Sequence, residues 1–95
     1  MTHAYKTFYN AAEMLAFGTE NIKERLITAY TYSLSKLQIE ELPEKLQSSF
    51  ENLKNEITEK GSVQATLGQV SDDEAFTIAC RIVCMYDLIA QKEYK

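Results

Sequence analysis

Two cysteines four places apart, Cys80 and Cys84, are the residues whose type and spacing first suggest chemistry. On a helix they stand about one turn from each other, close enough to hold a soft metal or to form a redox pair. A tetrahedral structural site takes four ligands, and the chain adds only a distant histidine, His3. With the ligand set incomplete, Cys80 reads as a small core residue and Cys84 as one near the edge of the packed face. His3 fails the other tests in turn. A di-iron bundle uses Glu-x-x-His pairs on facing helices, and no glutamate stands three places before His3. Ser-His-Asp and Cys-His arrangements need a positioned base, which a histidine at a fraying terminus does not provide. Gly61 and Gly68 enclose six residues, but no Lys-Ser/Thr follows, so they form no phosphate loop. The residues offer no catalytic set, metal or cofactor, and the expectation is a protein that is not an enzyme.

The element that must position these cysteines is the stretch 71–91. It opens Ser71-Asp72-Asp73-Glu74, where the serine can cap backbone amides and the acidic residues suit the positive end of a helix dipole. After the cap, residues 75–90 depart from the apolar set only at Thr77, Arg81 and Asp87. At about 100° per residue, Ala75, Ile78, Ala79, Ile82, Tyr86 and Ile89 cover one broad face. Phe76, Cys80, Val83 and Ala90 extend it round the back. A helix apolar nearly all round is normally buried on most sides, so the expectation is the central helix of a small bundle. It is too short and too interrupted by charge to cross a membrane.

The other elements follow from the same period. A first helix is expected over residues 4–17, with Tyr5, Phe8, Ala12 and Leu15 as its seam and Tyr9 and Ala16 beside it. Gly18 is expected to close it in a left-handed conformation, with Thr19 capping the next helix. That second helix is read over residues 20–37, with Ile22, Leu26, Ala29, Ser33 and Leu37 along one face. Thr28 to Ser33 has strand-like propensity, but its flanks carry a helical period that outweighs it. Residues 38–42 connect to a third helix that opens at Pro43, where a missing N–H costs nothing. Leu46, Phe50, Leu53 and Ile57 form its apolar side, and Lys45, Ser48, Ser49, Asn52 and Glu56 its polar one. It is expected to end near Thr58, with Gly61 as the stop signal. Residues 61–71 hold no charge; Val63, Leu67 and Val70 are expected to pack down, and residues 62–67 can make one short helical turn.

Ninety-five residues make one domain, residues 1–95, large enough for a real core. An apolar content of 45% with 25% charged residues is that of an ordinary globular protein. A net charge of -4 argues against a direct nucleic-acid binder, which would carry a basic patch. The start of the chain lacks the basic and apolar regions of a signal peptide, and the paired cysteines make no secreted disulfide framework, so the cytoplasm is the expected compartment. The acidic groups (Glu40, Glu41 and Glu44; Asp72, Asp73 and Glu74) gather at helix starts, where capping accounts for them. Tyr5, Tyr9, Tyr30 and Tyr86 lie on or beside apolar faces. Tyr32 lies off the main stripe of its helix and stands as a candidate surface aromatic.

Glu24-Arg25-Leu26, Ala29-Tyr30, Leu34-Ser35, Leu37, Leu42-Pro43-Glu44, Phe50, Leu53 and Ser71-Asp72-Asp73-Glu74-Ala75 together resemble a group of small uncharacterised bacterial helical proteins. The resemblance spans most of the chain through core and capping positions. It implies a bacterial, stand-alone helical protein and carries over no functional residue.

The expected fold is all-α, a compact bundle of four main helices with a short helical turn before the last. The expected function is a non-catalytic protein-interaction or regulatory module that associates with itself. Two other readings stand beside it. One is a small enzyme or small-molecule binder with a pocket near Tyr30 and Tyr86; the other is an acidic inhibitor of a nucleic-acid-binding protein. The expected interface centres on Arg81, on the least apolar side of the last helix. Cys84 and Leu88 lie within about 60° of it and Met85 on its flank, giving a surface for a homodimer.

Overall fold

The computed structural model describes residues 2–93. Helix, 3-10 turns included, makes up 79% of the described residues, which contain no strand. The first helix, α1 (His3–Phe17), begins where the Thr2 hydroxyl accepts from the Tyr5 N–H at 3.1 Å. It lays Ala4, Tyr5, Phe8, Ala11 and Leu15 on the core. Helix α2 (Ile22–Tyr32) follows, then 3-10 turns at Leu34–Lys36 and Ile39–Glu41. Helix α3 (Glu44–Ile57), the short α4 (Val63–Leu67) and the long α5 (Asp72–Glu93) complete the order.

The corner between α1 and α2 departs from expectation. Gly18 is extended (φ −67°, ψ 145°), not left-handed. Glycine is needed there for space: a Cβ would sit 2.7 Å from Cγ of Arg25 and 2.8 Å from the carbonyl oxygen of Met14. The Arg25 stem lies across the glycine, Nη1 donates to the Leu15 carbonyl and Nε to the Glu20 carbonyl, both at 2.8 Å. A side chain from the next helix thus satisfies a carbonyl that the end of α1 leaves without an intrahelical partner. The cap of α2 is Asn21, whose side chain accepts from the Glu24 N–H at 2.9 Å, and not Thr19.

Helix α2 stops at Tyr32, five residues before the expected end. The run Thr28-Ala29-Tyr30-Thr31-Tyr32 stays helical, as its flanking period requires. At Ser33 (φ −129°, ψ −69°) the chain turns into 3-10 geometry, and the Ser35 hydroxyl donates to the Thr31 carbonyl. Three residues per turn keep Leu34 and Leu37 on one side, and both are fully buried.

Helix α3 matches its expected bounds and buries Phe50, Leu53 and Ile57. The rings of Phe50 and Phe8 meet edge to face at 5.7 Å, joining α3 to α1. Gly61 takes φ 100°, a conformation that favours glycine. The uncharged segment after it does pack down. The Ser62 side chain caps α4, Val63 and Leu67 are buried, and the buried Thr66 hydroxyl accepts from the Lys60 N–H and donates to the Ser62 carbonyl.

Near the other end of α1, Glu41 clamps two elements. Its Oε2 accepts from the Gln38 N–H at 2.8 Å, and its Oε1 meets Nδ1 of His3 at 2.7 Å. The backbone hydrogen bond first, and His3 second, hold the Glu41 carboxyl below its ordinary range.

Helix α5 corrects the largest expectation. It begins at a Ser71 cap and buries Ala75, Ala79, Ile82, Met85 and Ile89, with Ile78 and Tyr86 half-buried beside them. The opposite side is open to solvent, so α5 is a one-sided helix and not a central one. No described helix is long and apolar enough to cross a membrane.

Candidate functional site

The outer side of α5 follows from the same 100° step that buries the inner one. Phe76, Val83 and Leu88 keep 62%, 45% and 50% of their surface exposed, and Cys80 and Cys84 are free thiols in solvent. The placing of Cys80 in the core is therefore overturned. It lies on the crest of the helix with Cys84, and each thiol borders a groove on either side.

The groove on the α3 side carries the greater share of polar side chains. It has a volume of about 360 Å³ and is lined by Ser49 and Asn52 of α3 with Thr77, Arg81 and Met85 of α5. Arg81 pairs there with Glu56 of α3. This bond spans two exposed side chains and contributes at most about 1 kcal/mol.

The groove on the other side, also about 360 Å³, is mainly apolar. Helices α1 and α5 run antiparallel along it. Ala12, Leu15 and Ala16 of α1 lie beside Phe76, Ala79 and Val83 of α5, and Ile22 and Arg25 of α2 close one end. Small residues on both helices make its floor. Beyond the other end Tyr9 and Tyr86 meet edge to face at 6.0 Å, with Tyr5 5.8 Å from Tyr86. Phe76, Cys80, Val83 and Asp87 form one stripe along this side at 4-3-4 spacing, aromatic at its start and acidic at its end. Among the described residues no carboxylate pairs with Arg25. Asp87 accepts a hydrogen bond from Gln91 within its own helix.

The four expected interface residues separate. Cys84 and Leu88 are exposed; Met85 is buried in the core, and half-buried Arg81 is engaged by Glu56. Met85 is thus corrected from a surface to a core residue, because it continues the Ile78–Ile82 side of the helix. Tyr32 is 65% exposed, as expected. The pocket expected near Tyr30 and Tyr86 is not among the grooves described: Tyr86 packs on Tyr5 and Tyr9, and burial raises the Tyr30 phenol above its ordinary range. What sequence reasoning missed is the outward side of Phe76, Cys80 and Val83. The signal was present in the three polar positions. Thr77, Arg81 and Asp87 together centre the outer side near Cys84, about 60° from Arg81 alone.

Among the described residues, no three His, Cys, Asp or Glu side chains gather closely enough to hold a metal ion. No family model, curated protein or solved structure matches the chain.

Proposed function

We propose that this chain is a non-catalytic protein-interaction module that associates with itself through the outer side of α5. In this reading the four longer helices form a bundle whose role is to hold that surface rigid. One observation carries it: Phe76, an aromatic side chain on a regular helix, is 62% exposed beside an apolar groove floored by alanines. Covering a side chain of this size contributes about 1.5–3 kcal/mol, which folding leaves unused here. Interfaces are enriched in such aromatics, and contiguous exposed apolar surface marks sites of association.

The test is sedimentation of the purified protein across a dilution series. The expected outcome is a shift from monomer to dimer through the micromolar range, the regime of about -8 kcal/mol. A monomer at every concentration counts against self-association. The groove between α1, α2 and α5 also has a volume near the lower end of small-molecule sites, which run from about 300 Å³. A saturable thermal shift with an apolar ligand in a monomeric protein would favour that second reading.

A further inference from the structure

We infer that the groove between α1 and α5 is filled by a second copy of this chain, docked antiparallel about a two-fold axis through the middle of the groove. The inference rests on the self-association reading and specifies its surface and register.

The two ends of the groove differ, and they differ in a complementary way. One end presents Phe76 and the guanidinium of Arg25. Just beyond the other end lie the Tyr9–Tyr86 pair, with Tyr9 43% exposed, and, one helical turn on from Val83, the exposed Asp87. Phe76 and Asp87 stand eleven positions apart on α5, about 16 Å at the helical rise. An axis across the middle exchanges the ends. Phe76 of each copy then lies against the tyrosine pair of the other, and Asp87 of each approaches Arg25 of the other. Cys80 falls opposite Val83, because positions 76 and 87 share their midpoint with positions 80 and 83. Between them Ala12, Ala16 and Ala79 leave the space that lets two helix pairs approach closely.

Charge selects this register over the alternative. A two-fold axis along the groove would set Asp87 near Asp87 and Arg25 near Arg25, pairing like charges at both ends. The antiparallel arrangement pairs unlike charges at both, and such complementarity fixes register more than it adds affinity. It also uses an isologous surface, as a closed two-fold dimer requires.

The expected strength follows from the area. At about 200 Å² per aromatic side chain, the exposed parts of Phe76 and Tyr9 offer roughly 200 Å² per copy. With Val83, the alanines and the polar rim, the total buried by both copies stands near the lower bound of about 1,000 Å² for a specific interface. The dimer is therefore weak, with a dissociation constant on the order of 10 micromolar.

The experiment is sedimentation of the wild type, Phe76→Glu, Asp87→Arg and Leu88→Glu, with circular dichroism melts to show that each is folded. Phe76→Glu and Asp87→Arg are expected to weaken the dimer by about tenfold or more. Leu88→Glu, on the α3 side of the crest, is expected to change it by less than about twofold. A dimer that withstands both Phe76→Glu and Asp87→Arg overturns this surface while self-association stands. Loss in Phe76→Glu with no change in Asp87→Arg overturns the antiparallel register. Loss confined to Leu88→Glu moves the interface across the crest to the α3 side and overturns the inference. A wild-type monomer throughout removes the self-association reading itself and overturns this inference with it.

Discussion

Helices α3 and α5 each lay one apolar stripe on the core, and they finish their outer sides in opposite ways. Outside α3 stand Lys45, Ser48, Asn52 and Glu56, residues that water accommodates at no cost. Outside α5 stand Phe76, Cys80, Val83 and Leu88, which the fold leaves about half uncovered or more. The core sees little difference between the two helices, since Phe50 and Ile82 are equally inaccessible to solvent. Folding therefore accounts for the inner stripes of both and for the outer side of α3. It does not account for the outer side of α5, and the role proposed for this protein begins from that residue of unexplained sequence.

The contrast can be sharpened first with a pair of matched truncations. Phe50→Ala should cost about 3–5 kcal/mol, since it removes a ring from a closed interior. Phe76→Ala should alter monomer stability by no more than about 0.5 kcal/mol. Urea denaturation at a concentration below association measures both, and equal losses would erase the distinction between the faces.

A middle-sized effect belongs to the wall of the α5 groove. Gly18→Ala should destabilise by about 1–3 kcal/mol, because the added methyl meets both the Arg25 stem and the Met14 carbonyl. An unchanged denaturation midpoint would mean that the Arg25 side chain moves aside freely, and that this end of the groove is less rigid than the α5 stripe facing it.

The smallest effect tests the polar surface at the far end of α1. The Glu41 carboxyl is held below its ordinary range in the folded protein. Its contribution is therefore fully present above that range and is lost as pH falls from it through the lowered value. Denaturation midpoints of wild type and Glu41→Gln should differ slightly at neutral pH and converge in acid. A difference that persisted in acid strong enough to protonate Glu41 in the folded protein would trace the effect to the side-chain change and not to the charge.

These tests also mark what the sequence made legible. The inner stripe of α5 could be read from period alone, because Ala75, Ile82 and Ile89 return to the same side at every second turn. The outer side of α3 was equally plain, since its polar residues contrast with Leu46, Phe50, Leu53 and Ile57. Contrast failed at α5: Cys80 and Val83 look as apolar as Ala79 and Ile82, and period cannot say which of two apolar sides meets the core. The early end of α2 was hidden for another reason, because 3-10 and α geometry both place Leu34 and Leu37 on one side. The Arg25 contacts across the α1–α2 corner lie between residues ten and five apart in the chain, beyond any local capping pattern.

That corner has a consequence for how the sequence can change. Gly18 is small because the Arg25 stem occupies the volume a larger residue would need, and Arg25 is held by the Leu15 and Glu20 carbonyls it serves. The two positions therefore share one volume and one pair of hydrogen bonds. In any sequence that keeps this corner they are expected to vary together: a side chain at position 18 requires a shorter one at position 25, and with it a new donor for the two carbonyls. A library randomised at both positions and sorted for folded protein would return them as a correlated pair.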